Sequence, residues 1–163
     1  MSEATYAAGD AINLLRSYSR HRDFVRLALG RVGYALVERA TIHDASKLLD
    51  DEFAGFSRIN AAARIHKFGS PEYKEGMRAE RPTIDRHFGR NTHHPEPDPL
   101  KPPLSFLDVI EMVCDWWGAA KGYDDPRAWR DSVALNFESK GKHLTPEQRW
   151  LAEQVAEFLA PHP

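Results

Sequence analysis

The chain has 163 residues, 42% hydrophobic and 28% charged, which is one domain's worth of globular sequence with enough apolar content for a core. A formal net charge of −2 excludes the basic face of a dedicated nucleic-acid binder, so no stable nucleic-acid complex is expected. No apolar run approaches the roughly 20 residues that span a bilayer, and the first residues carry no basic-then-apolar leader pattern. The single cysteine, Cys114, can form no internal disulfide and suits a reducing compartment. The expectation is a single domain over residues 1–163, located in the cytoplasm.

From Asp10 to about Leu29 the apolar positions Ile12, Leu15, Phe24 and Leu27 recur at helical spacing, with Asp10 as N-cap. Gly30 and Gly33 predict a break, after which a second helix covers about 31–49. Asp50 and Asp51 open a third that carries Phe53, Phe56 and Ile59. Residues 69–82 are polar and punctuated by glycine and proline, which predicts a loop. Pro82 then starts a helix through Asn91.

The stretch PEPDPLKPP, residues 95–103, holds five prolines and reads as an ordered loop or lid. Residues 104–121 are strongly apolar with helical period, capped by Ser105 or Asp108. A further helix is expected over 125–139, with Pro126 at its first position. Thr145, followed by Pro146, Glu147 and Gln148, has the form of a capping box opening a last helix to about Leu159. No alternating run or hairpin turn suggests a strand. The predicted class is all-α, a compact multi-helix bundle.

Within these elements, titratable residues gather at telling spacings. His87, Asn91 and His94 stand at i, i+4 and i+7, and Asp108, Glu111 and Asp115 at i, i+3 and i+7, each set on one helical face. Three acids on an otherwise apolar helix are either solvated or meet cations, because an unpaired buried carboxylate costs several kcal/mol, roughly. Neutral imidazole and ionised carboxylate together are ligands for zinc, iron, manganese and similar ions. His66, His143 and His162 lie on polar or terminal stretches and read as solvated.

The order His21, His43-Asp44, Asp115 resembles the H…HD…D signature of the HD-domain superfamily of metal-dependent phosphohydrolases. The string His43-Asp44-Ala45-Ser46-Lys47 is similar to the HD-[small]-G-K form common there, with serine in place of glycine. The wider pattern, with Asn91 preceding HHPE and with EMVCDW at 111–116, resembles a small HD-like branch of phages and bacteria. The likeness covers residues 21–117.

It implies an all-α HD-like bundle in which His21, His43, Asp44 and Asp115 hold a divalent ion (Mn, Co, Fe, Zn or Mg). His87 and His94, or His93, are candidates for a second ion, giving one or two per chain. The chain must then double back between His21 and His43, and Gly30 and Gly33 sit where it should. Because adjacent side chains splay by about 100° on a helix, His43-Asp44 belongs at a helix terminus or kink.

The activity this implies is hydrolysis of a small phosphorylated molecule, best matched by a nucleotide, through a metal-activated water. Asp44, Lys47 and Glu52 are the catalytic candidates, with Glu52 as general base or as the partner that orients a ligand histidine. Lys47, Arg39, Arg90 and Asn91 are candidates for substrate binding, with Arg86 a further cation. The alternatives are a non-catalytic metal- or nucleotide-binding regulatory module and a di-iron oxygenase of the same architecture. A second copy of the chain is an allowed partner.

Overall fold

The computed structural model describes residues 8–66, 70–122 and 127–160. Among them it contains seven α-helices, two short 3-10 turns and no strand, so the protein is all-α. The chain divides into two units, Met1–Thr41 and Ile42–Pro163.

The described part of the first unit lies in α1, Ala8–Ile42, a 35-residue helix whose last residue belongs to the second unit. It passes through Gly30 and Gly33 without interruption, so the expected break and reversal are absent. A glycine inside a helix costs only about 1 kcal/mol relative to alanine, and no proline accompanies either one. Leu27, Ala28, Leu29, Arg31, Ala35 and Leu36 around them favour the helix enough to carry both.

In the second unit a 3-10 turn, Ala45–Leu48, leads into α2, Asp50–Ile65, whose first turn bears Asp50, Asp51 and Glu52 at the positive end of the helix dipole. Part of the predicted loop at 69–82 is instead helical: α3, Pro71–Ala79. Ser70 is its N-cap, accepting the Tyr73 amide at 3.2 Å, and Pro71 occupies the first turn, where its missing N–H costs nothing. A serine followed by proline was the available signal. α4, Arg81–Arg90, follows at once with Pro82 in its first turn.

α5, Phe106–Gly122, has both expected caps. The Ser105 hydroxyl accepts the Asp108 amide at 3.2 Å while the Asp108 carboxylate accepts the Ser105 amide at 2.7 Å. α6 is Trp129–Lys140, starting later than expected; Pro126 lies outside the described residues. α7, Pro146–Phe158, opens with the full capping box of Thr145 and Gln148.

The core forms where α5 meets α6 and α7. Val109, Met112, Val113 and Trp116 of α5 are buried against Ala152 and Ala156 of α7, with Trp129, Val133 and Phe137 packed on the rim. The Trp129 indole N–H donates to the Ala156 carbonyl at 2.9 Å, satisfying the polar end of a large apolar side chain. One face of α5 is thus fixed in the core. That leaves its acidic face, Asp108, Glu111 and Asp115, turned towards His43 and the segment following α4. α2 and α4 pack so closely that a Cβ on Gly55 would stand 2.3 Å from the Thr83 hydroxyl oxygen. This contact sets the spacing between Glu52 on α2 and His87 on α4.

Candidate metal centre

His43 and Asp44 follow the last residue of α1. Asp44 adopts φ 55°, ψ 13°, the left-handed region, and among the described residues it is the only non-glycine with positive φ. Aspartate tolerates this conformation better than most residues. The reversal at Asp44 removes the 100° splay of a regular helix and lets the two neighbouring side chains reach one place, as the sequence required.

His87 comes from the last turn of α4. His93 and His94 stand just beyond it, outside any helix, so both rings can join the same cluster although they are adjacent. Thr92 anchors that segment, donating to the Asp108 carboxylate at 2.5 Å. Lys101 from the proline-rich segment closes it from the other side: its ammonium donates to the carbonyls of Phe88, Asn91 and His94 at 2.8, 3.1 and 2.7 Å. Burial lowers the pKa of this amine, and the three carbonyls take its hydrogens.

The result is a pack of four imidazoles. His93 lies 4.6 Å from His43 and 4.3 Å from His94 between ring centroids, and His87 lies 4.9 Å from His94. Two sets of residues each bring potential ligand atoms within 4.8 Å of one another: His43, His93 and Asp115; and Asp44, His87 and His94. Asp44 links the sets, since its Oδ1 is 3.1 Å from His87 Nε2 and 3.5 Å from His93 Nε2.

Asp44 Oδ1 and the Nε2 atoms of His87, His93 and His94 are buried without a hydrogen-bond partner. Three imidazole nitrogens and a carboxylate oxygen converging in this way are costly unless protons or a cation join them. Their chemistry, imidazole nitrogen and carboxylate oxygen, fits a divalent transition ion.

Electrostatics point the same way. Hydrogen bonds to Asp115 and then Glu111 push the His43 imidazole up to about 10, against its ordinary 6.5. Burial alone would raise the Asp44 carboxyl, but His87 and Lys47 beside it hold it well below the usual carboxylate range. Burial, and then the neighbouring His93 and His87, pull His94 down to about 2, so its ring is neutral and able to ligate.

The other expected residues are distributed as follows. Lys47 reaches the site and pairs with Asp44 Oδ2 at 2.5 Å. Asn91 donates to Ser46 Oγ at 2.8 Å and to the His87 carbonyl at 2.9 Å. Arg90 is engaged by a fork, reaching Asp51 at 2.9 and 2.7 Å and Glu52 at 2.9 Å. Arg86 donates to the Asp51 carbonyl at 2.5 Å. Glu52 has no exposed surface and meets His87 Nδ1 at 3.1 Å. Arg39 lies in the last turn of α1. His21 is an exposed residue of the first unit.

Two residues gained importance in the structure. His93 stands in the same ligand set as His43 and Asp115. Glu111 Oε1 contacts both His43 Nδ1, at 2.9 Å, and His93 Nδ1, at 3.2 Å. The acidic stripe on α5 had pointed to Glu111, but spacing alone could not separate a ligand from a residue that orients ligands.

The model of a family of unknown function, DUF5662, matches residues 11–161. The chain belongs to this family. The match runs across both units, so α1 and the histidine-bearing unit occur together in the family pattern. No curated protein and no solved structure matches the chain. Among the described residues, no helix is long and apolar enough to cross a membrane.

Proposed function

We propose that this protein is a metal-dependent phosphohydrolase of HD type, acting on a small phosphorylated substrate such as a nucleotide. The observation that carries the reading is the convergence of orphaned, buried Nε2 and carboxylate atoms from His87, His93, His94 and Asp44, with His43 and Asp115 beside them. His43, His93 and Asp115 would hold one divalent ion, and Asp44, His87 and His94 a second. Such ions supply acidification of a bound water and polarisation of phosphoryl oxygens.

The rest falls to this chain's side chains. Lys47 is partly exposed, and a phosphate oxygen arriving beside Asp44 would meet its ammonium, which balances negative charge on the leaving side. Lys47 also sits 5.0 Å from the Phe56 ring centroid, which restricts where the ammonium can swing. Asn91 holds Ser46 and the end of α4 in place. Arg90 neutralises Glu52 rather than offering an open charge, so Lys47 is the better phosphate contact.

The test is phosphate release from a nucleotide panel by the purified chain with manganese, cobalt, zinc or iron. Expected is activity with at least one ion, abolished in Asp44→Ala and His87→Ala variants. No release under any ion would overturn the reading. The pair of ligand sets also keeps a di-iron oxygenase in view; elemental analysis giving one metal per chain would remove that alternative.

A further inference from the structure

The geometry points to Glu111 and Glu52 as positioning residues that fix the ring orientation and tautomer of three histidines, so that each presents a bare Nε2 to the metal. This inference rests on the metal reading above and assigns these two carboxylates a role of their own.

An ionised carboxylate can only accept hydrogen bonds. Glu111 Oε1 is 2.9 Å from His43 Nδ1 and 3.2 Å from His93 Nδ1, so each of these nitrogens must carry the hydrogen. One oxygen with two lone pairs thus orients two rings at once.

His87 is set by a count of donors. Asn91 Nδ2 has two hydrogens, and they go to Ser46 Oγ at 2.8 Å and the His87 carbonyl at 2.9 Å. The Ser46 hydroxyl hydrogen goes to Glu52 Oε2 at 2.8 Å. Ser46 Oγ and Asn91 Nδ2 each also lie 3.0 Å from His87 Nδ1, but with their hydrogens directed to those acceptors this nitrogen donates to Glu52 Oε2 at 3.1 Å. Glu52 has no exposed surface, and Arg90 meets its other oxygen at 2.9 Å, so the buried carboxylate is paired.

The serine that departs from the usual glycine therefore completes this network. A ring whose Nδ1–H is held by a carboxylate is both oriented and more basic at Nε2, the state a metal ligand needs. Of the two roles open to Glu52, burial and contacts favour positioning over direct proton transfer to a substrate. His94 has no such holder, since Glu96 is 3.8 Å from its Nδ1.

The tautomers can be read without activity, by long-range proton–nitrogen correlation NMR on the full chain labelled with 15N-histidine, at pH 8. Expected in the metal-free protein are His87 and His93 with protonated Nδ1, while their Nε2 atoms, 3.1 and 3.5 Å from Asp44 Oδ1, share a proton with that carboxylate until a cation replaces it. On titration with zinc, His43 should join them, with all three Nε2 signals shifted. Glu111→Gln and Glu52→Gln keep an acceptor and should retain the tautomers. Glu111→Leu and Glu52→Leu should mix them, for His93 and His87 respectively, and weaken zinc binding about 10- to 100-fold.

A bare Nδ1 on His87 or His93 in the wild-type chain would overturn the inference, as would Leu variants with unchanged tautomers and unchanged zinc affinity. If the wild-type chain binds no zinc or other divalent ion, the metal reading fails, and the metal-free spectra still decide the tautomers. If a Leu variant does not fold, the wild-type and Gln spectra decide it.

Discussion

Replacing Gly55 with alanine tests whether the α2–α4 contact governs both stability and the metal centre. The added Cβ would lie 2.3 Å from Thr83 Oγ1, 2.7 Å from Cγ2 and 2.8 Å from Cβ. A new Thr83 rotamer can move the first two atoms but not the third, which is fixed to the α4 backbone. The helices must therefore separate by several tenths of an ångström at least. Overpacking of this kind costs about 1–3 kcal/mol, against which alanine gains up to about 1 kcal/mol of helix propensity.

The net expectation is a loss of about 1–2 kcal/mol, or a fall in Tm of about 2–8 °C for a chain of this length. Gly118, on α5, has nothing within 4 Å of its notional Cβ. There the same substitution should raise Tm by about 2–4 °C through propensity alone. The opposite signs are the signature, read by differential scanning calorimetry on the metal-free proteins. Combining Gly55→Ala with Thr83→Gly removes all three close contacts and should show favourable coupling of about 1 kcal/mol or more. Because Glu52 lies one turn before Gly55 and His87 one turn after Thr83, Gly55→Ala should also weaken divalent-ion affinity. A Tm at or above the wild-type value would refute the close-packing argument.

Saturating divalent ion should stabilise the wild-type chain: at about 100 times Kd the gain is about 2.7 kcal/mol, seen as a rise in Tm that chelation reverses and that His87→Ala abolishes. Lys101→Met leaves three carbonyls without their shared donor, so a thermal melt should show about 1–3 kcal/mol of destabilisation, accompanied by weaker metal binding. Stability of the metal-free chain should peak near pH 6.5, as scanned by Tm from pH 4 to 10. His43, raised to about 10, contributes stability that is complete below 6.5 and lost as pH climbs towards 10. His94, lowered to about 2, refuses a proton that the unfolded chain takes up below 6.5, so stability falls with further acidification. A Tm unchanged between pH 6.5 and 10 would remove the His43 assignment, and His43→Gln should flatten that alkaline limb.

Helix periodicity made the all-α class legible, and chemically specific caps were read correctly at Ser105, Asp108 and Thr145. Breaks were harder. Gly30 and Gly33 weaken α1 by an amount the surrounding helix formers outweigh, whereas Ser70-Pro71 starts a helix inside what looked like a polar loop. Glycine is a small local penalty, and a cap with proline behind it is a local gain; neither decides without its neighbours.

At the site, the His43-Asp44 pair was legible as a helix end because two adjacent side chains cannot converge on a regular helix. The spacing that put His94 on one helical face with His87 and Asn91 assumed a helix that had already stopped at Arg90. With His93 and His94 both outside a helix, adjacency no longer separates them.

What remained hidden was the division of labour among carboxylates. Asp44 and Asp115 belong to the potential ligand sets, while Glu52 and Glu111 contact ring nitrogens on the far side of those sets. The longer side chain suits the second task, since it reaches past one residue to a ring held by another element. Charge follows the same division. Lys47 stands opposite Asp44, and Arg90 opposite Glu52. Glu111 and Asp115 converge on the His43 ring and draw a proton onto it. A dication entering there would take over the role of that proton, so binding should release it and strengthen as pH rises.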